Sequence, residues 1–150
     1  MTPTLKIKKV HPDAKLPTKA HSTDLGYDLY ANHDIEIWYG ATVKISTGIA
    51  VGFPKGWGGF IKDRSSMASK QLITSGGVID EDYTGELSII MTYTCYEDEF
   101  EEYEDKFIQI KKGDKIAQLV PIPTTNWSIE EVDSLEITNR GEKGFGSSGA

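Results

Sequence analysis

The sequence predicts an all-β chain, arranged as a mixed and mainly antiparallel sandwich or barrel. Three observations carry that prediction. Short runs alternate between apolar and polar residues, glycine and proline punctuate them, and neither a fixed repeat nor a long linker divides the chain. At 150 residues the chain is one domain in length and large enough to bury a real core.

The elements follow in order. Leu5 to Val10 alternates as Leu-Lys-Ile-Lys-Lys-Val and suits a half-buried first strand, closed by His11-Pro12-Asp13. Lys15 to Asp24 is polar, contains a proline and reads as a loop. Tyr27 to Ala31 and Ile35 to Ile37 read as short strands, the second turning at Trp38-Tyr39-Gly40. Ala41 to Val51 alternates through Val43, Ile45, Thr47 and Ile49. Gly52 to Gly59 reads as a glycine-rich loop around Phe53 and Trp57, and a strand resumes at Phe60-Ile61. Arg64 to Lys70 is the one candidate helix, with serines able to cap its first turn and Met67 and Ala68 on a small apolar side.

Further strands are predicted at Leu87 to Tyr96, Phe107 to Ile110 and Ile116 to Ile122, with a turn over Lys111 to Asp114. Between them, Glu97 to Asp105 carries seven acids in nine residues, a self-repelling run that suits a solvated hairpin tip or excursion. Trp127 to Ile137 fits either a short helix, by the spacing of Ile129, Val132 and Leu135, or extended chain. Past Thr138 the composition is that of a mobile glycine-rich tail.

A net charge of −7 argues against a general nucleic-acid binder, yet leaves room for an anionic small ligand opposed by local Arg and Lys. The single Cys95 excludes an internal disulfide framework and a cysteine-rich zinc site. No charged-then-apolar leader opens the chain and no run approaches membrane-spanning length, so a soluble, cytoplasmic protein is expected.

Chemistry concentrates in five segments. Ser75 to Glu86 reads Ser-Gly-Gly-Val-Ile-Asp-Glu-Asp-Tyr-Thr-Gly-Glu. Here Val78-Ile79 forms a buried edge, Asp80 emerges from it, and Tyr83 returns as a ring lid. Its glycines permit a tight path and a flat ligand's approach to the main chain. A hairpin with solvent-facing acids is the plainer reading of the same residues. Gly26-Tyr27-Asp28-Leu29-Tyr30-Ala31 sets an acid in a strand, and Arg64-Ser65-Ser66 offers a planar donor fork with hydroxyls beside it. Gly113-Asp114-Lys115-Ile116-Ala117-Gln118 combines a turn with a core position at Ile116. Arg140-Gly-Glu-Lys-Gly-Phe-Gly-Ser-Ser-Gly149 has the composition of a phosphate nest. A Walker loop, a His-Glu-x-x-His pair and a Cys-x-x-Cys pair are all absent from the sequence, and His11, His21 and His33 suit turn or surface positions.

In order, these five segments resemble the motifs of the trimeric dUTPases, over roughly Asp24 to Gly149. The resemblance implies a distorted jelly-roll β-barrel over residues 1–138 and a C-terminal arm, 139–150, that closes over the site. It implies a Mg²⁺-dependent homotrimer that hydrolyses dUTP to dUMP and pyrophosphate, keeping uracil out of DNA. Asp80 would orient the attacking water and Tyr83 would pack under deoxyribose, excluding a 2′-hydroxyl. Backbone groups at Gly77 and Val78 would read uracil. Arg64 and Ser65 would contact the phosphate chain, with Ser66 in a backbone role, and Gln118 would donate near the α-phosphate. Arg140, Ser147 and Ser148 would hold the terminal phosphate, with Phe145 over uracil and Gly146 among the substrate-binding residues. Asp28 would hold waters on a Mg²⁺ chelated by those phosphates. Each site would draw its first, second and fourth motifs from one chain, the third from another and the fifth from the last.

The sequence departs from the family pattern at Lys143, usually glycine, and at Ser148, often threonine. The acidic stretch 97–105 is longer than in the shortest relatives; a phage- or species-specific surface, a protein-docking site and a solvated loop are its readings. Two other functions are weighed. A dCTP deaminase of the same fold expects glutamate ten residues beyond the Asp80 match and Thr-Ala-Gly before the Ile-Asp pair, where this chain has Ile90 and Ser-Gly-Gly. A nucleotide-responsive regulatory protein on the same scaffold would use the acidic stretch for docking.

Overall fold

The computed structural model describes residues 2–94, 106–138 and 141. Its elements are β1 (Lys6–Lys9), β2 (Tyr27–Tyr30), β3 (Ile35–Trp38), β4 (Thr42–Gly52), β5 (Trp57–Lys62), α1 (Ser65–Ala68), β6 (Leu72–Ser75), β7 (Val78–Ile79), β8 (Glu86–Tyr93), β9 (Phe107–Ile110) and β10 (Lys115–Pro123). The all-β prediction holds, with one short helix. Every named strand pair is antiparallel.

One four-stranded sheet runs β1-β4-β8-β6, a second runs β2-β10-β5-β7, and β3 and β9 form a two-stranded ribbon. Period-two alternation turns Ile45 of β4, Leu87, Ile89 and Met91 of β8 and Leu72 of β6 into a single core. That core also takes Leu29 of β2, Ile61 of β5, Ile116 and Leu119 of β10, and Ile37 and Ile110 of the ribbon. Both large sheets therefore cover one core, the arrangement of a sandwich. Among the described residues no sheet closes on itself. No helix there is long and apolar enough to cross a membrane.

The segment richest in chemistry lies where the chain changes sheets. β6 pairs with β8 in the first sheet, while β7 pairs with β5 in the second, Gly59 opposite Ile79 and Phe60 opposite Val78. The corner between them is Gly76-Gly77. Gly76 has φ 63°, a conformation that side chains disfavour. Gly77 lies so close to the Ile61 main chain that a Cβ would collide with it, and its carbonyl accepts the Ile61 N–H at 2.7 Å. The stretch is thus a sheet-switching corner rather than the simple hairpin expected. Val78 is 67% exposed, not a buried edge, because its two-residue strand sits at the sheet margin.

Other expectations change as well. Leu72–Ser75 is a strand that the sequence reading passed over. β5 begins at Trp57, so the Gly52–Gly59 loop is shorter than expected. The helix carries no side-chain cap; its N-cap residue is Arg64, whose carbonyl accepts from Met67 and Ala68. Trp127 to Ile137 is not helical and joins no ladder, leaving Trp127, Ile129, Leu135 and Ile137 in solvent. The expected tail and acidic excursion fall outside the described residues, apart from Gly141.

Candidate active site

Asp28 and Gln118 are brought together by strand pairing: they lie opposite each other in β2 and β10, and Gln118 also opposes Lys62 of β5. The start of α1 places Arg64 beside them. Its Nε donates to Asp28 Oδ1 at 2.9 Å, and Nη1 donates to Ser66 Oγ at 3.2 Å and to the Lys115 carbonyl at 3.3 Å. Those bonds use three of the five guanidinium N–H groups, and among the described residues the two on Nη2 are left for a ligand. The Ser66 hydroxyl thus has a side-chain partner, beyond the backbone role expected of it.

Lys115 Nζ lies 2.7 Å from Asp28 Oδ2. One carboxylate stands between two cations, so the trio carries a net charge of about +1 at neutral pH, a field suited to an anion. Hydrogen bonding to Asp28 raises the Lys115 pKa, followed in weight by an opposing cost of desolvation. Gln118 is fixed by its Nε2 donating to the Asp63 carbonyl at 2.8 Å, leaving one amide hydrogen free. Gly26 makes room for it, since a Cβ there would strike Gln118 Oε1. Ser65 is exposed at the rim. Asp28, Arg64, Ser65, Lys115 and Gln118 line a cavity of about 450 Å³.

Asp80 and Tyr83 line a different cavity, of about 240 Å³, with Val78, Ile79, Glu86 and Ile90. The Asp80 carbonyl accepts the Tyr83 N–H at 3.2 Å, while its exposed carboxylate has no hydrogen-bond partner among the described residues. Neighbouring Glu81 anchors the loop instead, its Oε2 accepting the Gly56 N–H at 2.9 Å. Tyr83 is 44% exposed and donates its hydroxyl to the Glu86 carbonyl at 3.0 Å. One chain therefore gathers the first, second and fourth motifs in one cavity and the third in another. Arg140, Phe145, Gly146, Ser147 and Ser148 lie outside the described residues, as does the 97–105 stretch.

A family model described as dUTPase matches residues 12–149. The chain belongs to the dUTPase family. It is 40% identical over 149 residues to the deoxyuridine 5'-triphosphate nucleotidohydrolase of Clostridium tetani, covering 97% of each chain. A Staphylococcus bacteriophage 80alpha dUTPase solved with dUpNHpp superposes with TM-score 0.86 at 32% identity, covering 98% of this chain and 99% of that one. The phage phi11 dUTPase of S. aureus, described with a structural Mg(II) ion, superposes with TM-score 0.75 at 28% identity, covering 89% and 99%. These likenesses give no support to the deaminase or the regulatory alternative.

Two residues at this dUTPase-family site escaped sequence reading. Lys115 has no role in the motif pattern, but a register shift between Lys115 and Ala117 breaks strict alternation and turns it toward Asp28. Asp63 reads as a loop acid, yet its Oδ1 accepts both the N–H and the hydroxyl of Thr74, each at 2.6 Å. That bond fixes the carbonyl on which Gln118 rests. No local motif signals a bond to a strand eleven residues away.

Proposed function

We infer that this member of the dUTPase family is an active enzyme: it hydrolyses dUTP to dUMP and pyrophosphate. The observation that carries the residue-level reading is a pair of complementary half-sites. A net-positive cradle of Asp28, Arg64, Lys115 and Gln118 faces solvent in one cavity, and an unpartnered Asp80 carboxylate stands beside Tyr83 in the other.

In the proposed mechanism Asp80 accepts a hydrogen bond from water and aims it at the α-phosphorus, in line with the departing pyrophosphate. The free Nη2 hydrogens of Arg64, the remaining amide hydrogen of Gln118 and the Ser65 hydroxyl take the phosphate oxygens, where charge accumulates in the transition state. Arg140 and Ser147-Ser148 hold the terminal phosphate, Phe145 covers uracil with Gly146 beside it, and Gly77 and Val78 read the uracil edge. The Gly77 carbonyl accepts the Ile61 N–H at 2.7 Å, which pins this stretch of main chain for that task. The ring of Tyr83 excludes a 2′-hydroxyl by occupying its space. No covalent intermediate forms, so Cys95 is dispensable.

Mg²⁺ use is part of this proposal. Among the described residues no three His, Cys, Asp or Glu side chains converge to hold a metal, and each Asp28 oxygen already takes a cationic donor. Each oxygen retains a second lone pair. The residues therefore fit a Mg²⁺ that arrives chelated by the substrate's phosphates, with Asp28 accepting hydrogen bonds from its waters. Held in that way, the ion would supply positive charge beside the phosphates.

The homotrimer with shared sites rests on two features of the single chain. Its half-sites line separate cavities, and its 124–138 segment holds Trp127, Ile129, Leu135 and Ile137 in solvent, a set of apolar side chains that a neighbouring copy would cover. The sandwich of two sheets over one core supports a distorted jelly-roll barrel for residues 1–138. The assignment of 139–150 as an arm closing over substrate rests on its glycine-rich composition.

The test is pyrophosphate release with Mg²⁺ from dUTP, dCTP, dTTP and UTP, run beside Asp80→Asn. Turnover of dUTP above the others is expected, with Asp80→Asn binding nucleotide but losing about 10²- to 10⁴-fold in rate. Full activity in that variant removes Asp80 from its role.

A further inference from the structure

Glu86 is a part-buried carboxylate that the mechanism does not use, and both its ends are tied. In the ladder between β4 and β8, Ser46 opposes Ser88 and Ala50 opposes Glu86, so β4 bulges outward between them. Gly48, at φ 70°, forms that bulge. Its N–H donates to Glu86 Oε1 at 3.0 Å, and the Ser46 hydroxyl donates to the same oxygen. One residue on, the buried Thr47 hydroxyl donates to the Leu87 carbonyl at 2.7 Å. At its other end, the Glu86 carbonyl accepts the Tyr83 hydroxyl. A single residue thus joins a fixed bulge in the first sheet to the outer atom of the ring in the Asp80–Tyr83 cavity.

We propose that Glu86 is a specificity-determining positioning residue: by clamping the start of β8 to the β4 bulge, it holds its own carbonyl where the Tyr83 hydroxyl docks, and so fixes the ring that screens the sugar. The proposal rests on the assignment of Tyr83 to deoxyribose made above. A second, independent contact shows how closely the ring is set. A Cβ on Gly85 would lie 2.7 Å from the Tyr83 hydroxyl oxygen and 2.8 Å from the ring carbon bearing it. Glycine at 85 is what lets the hydroxyl reach residue 86. Tyr83 is 44% exposed and forms part of the wall of its cavity, so the bond to the Glu86 carbonyl bears on where that wall stands.

The experiment measures kcat/KM for dUTP and for UTP, as a ratio, in the full chain and four variants. Glu86→Ala is expected to lower the ratio about 10-fold or more, within the range one mispositioned contact commands. Glu86→Gln, which keeps an acceptor for both donors, is expected within about threefold of wild type. Gly85→Ala tests the ring without touching Glu86. Its backbone is not left-handed, and the atoms its Cβ meets are the far end of a side chain that swings away, so the fold is preserved while the ring moves. It is expected to lower the ratio as Glu86→Ala does, and it decides the matter if Glu86→Ala fails to fold. Tyr83→Ala separates the two assignments. A ratio that falls in Tyr83→Ala but holds in both Glu86→Ala and Gly85→Ala overturns the positioning role alone. A ratio unchanged in Tyr83→Ala overturns the sugar-screening role of Tyr83, and the positioning proposal with it.

Discussion

Around Asp28 every strong group is braced by another, whereas Asp80 stands at the end of a short strand with its carboxylate unengaged. The cradle is cross-linked by Arg64, Lys115, Ser66 and the Asp63 carbonyl, so its donors are oriented before any ligand arrives. The sheet-switching segment is set by backbone means instead: a glycine corner, the Gly77-to-Ile61 bond, and a tyrosine tied to a carbonyl. That contrast suits two tasks. Phosphate oxygens need fixed charge, and preorganised charge stabilises best when it does not have to move. A water-orienting carboxylate needs a lone pair free to accept from its water. Within one chain the two sets line separate cavities, so the cations that brace Asp28 are not the groups set beside Asp80.

The separation can be broken by mixing chains. Asp80→Asn and Arg64→Ala are each expected to be nearly inactive alone. In randomly mixed trimers, about a quarter of the sites combine an intact Arg64 chain with an intact Asp80 chain. Recovery of about a quarter of wild-type turnover on co-refolding is therefore the expected result. No recovery would mean that each chain carries a whole site and that the cavities join within it.

A smaller effect sharpens the account of the cradle. Arg64→Lys keeps the charge but loses the planar fork, which in this structure spans Asp28, Ser66, the Lys115 carbonyl and a free edge. A loss of about 10- to 100-fold in kcat/KM for dUTP is expected, or about 1.4–2.8 kcal/mol. Nucleotide hydrolysis close to wild type would show that net charge, not the fork, is what the cradle supplies.

How much of this was legible depends on how local each cause is. The alternation of β8 and of the first half of β4 could be read directly, and it places Ile45, Leu87, Ile89 and Met91 in the core. The Ser75–Glu86 corner read as a hairpin because the strands that its two ends join, β8 and β5, are not marked in its own residues. β6 was missed because Leu72-Ile73-Thr74-Ser75 does not alternate and follows Gln71, a non-glycine residue at φ 62°; it is a strand because β8 offers it an edge. Lys115 was missed because a bulge, invisible in sequence, rotates it toward Asp28. The serine cap failed because Arg64 is drawn to N-cap by its bonds to Asp28 and Ser66. In each miss a long-range partner overrode a local preference.

The smallest effect concerns the tie between the hairpin and the first sheet. The Ser46 hydroxyl, more than any other contact, holds the Glu86 carboxyl below its ordinary value; the Gly48 N–H, His11 and Lys44 add to that against partial burial. A carboxylate more acidic in the folded than in the unfolded chain contributes stability above its ordinary pKa of about 4.3, and that contribution is lost as pH falls through the lower folded value. At pH 7, Glu86→Gln is expected to melt about 2–4 °C below wild type at equal chain concentration, the shift expected for about 1 kcal/mol in a chain of this size. As pH falls through that lowered folded value the gap should close, because wild type then carries a neutral side chain as well. A gap that persists unchanged into acid would mean that packing, not the charge-assisted bonds to the β4 bulge, accounts for the contribution of Glu86 to stability.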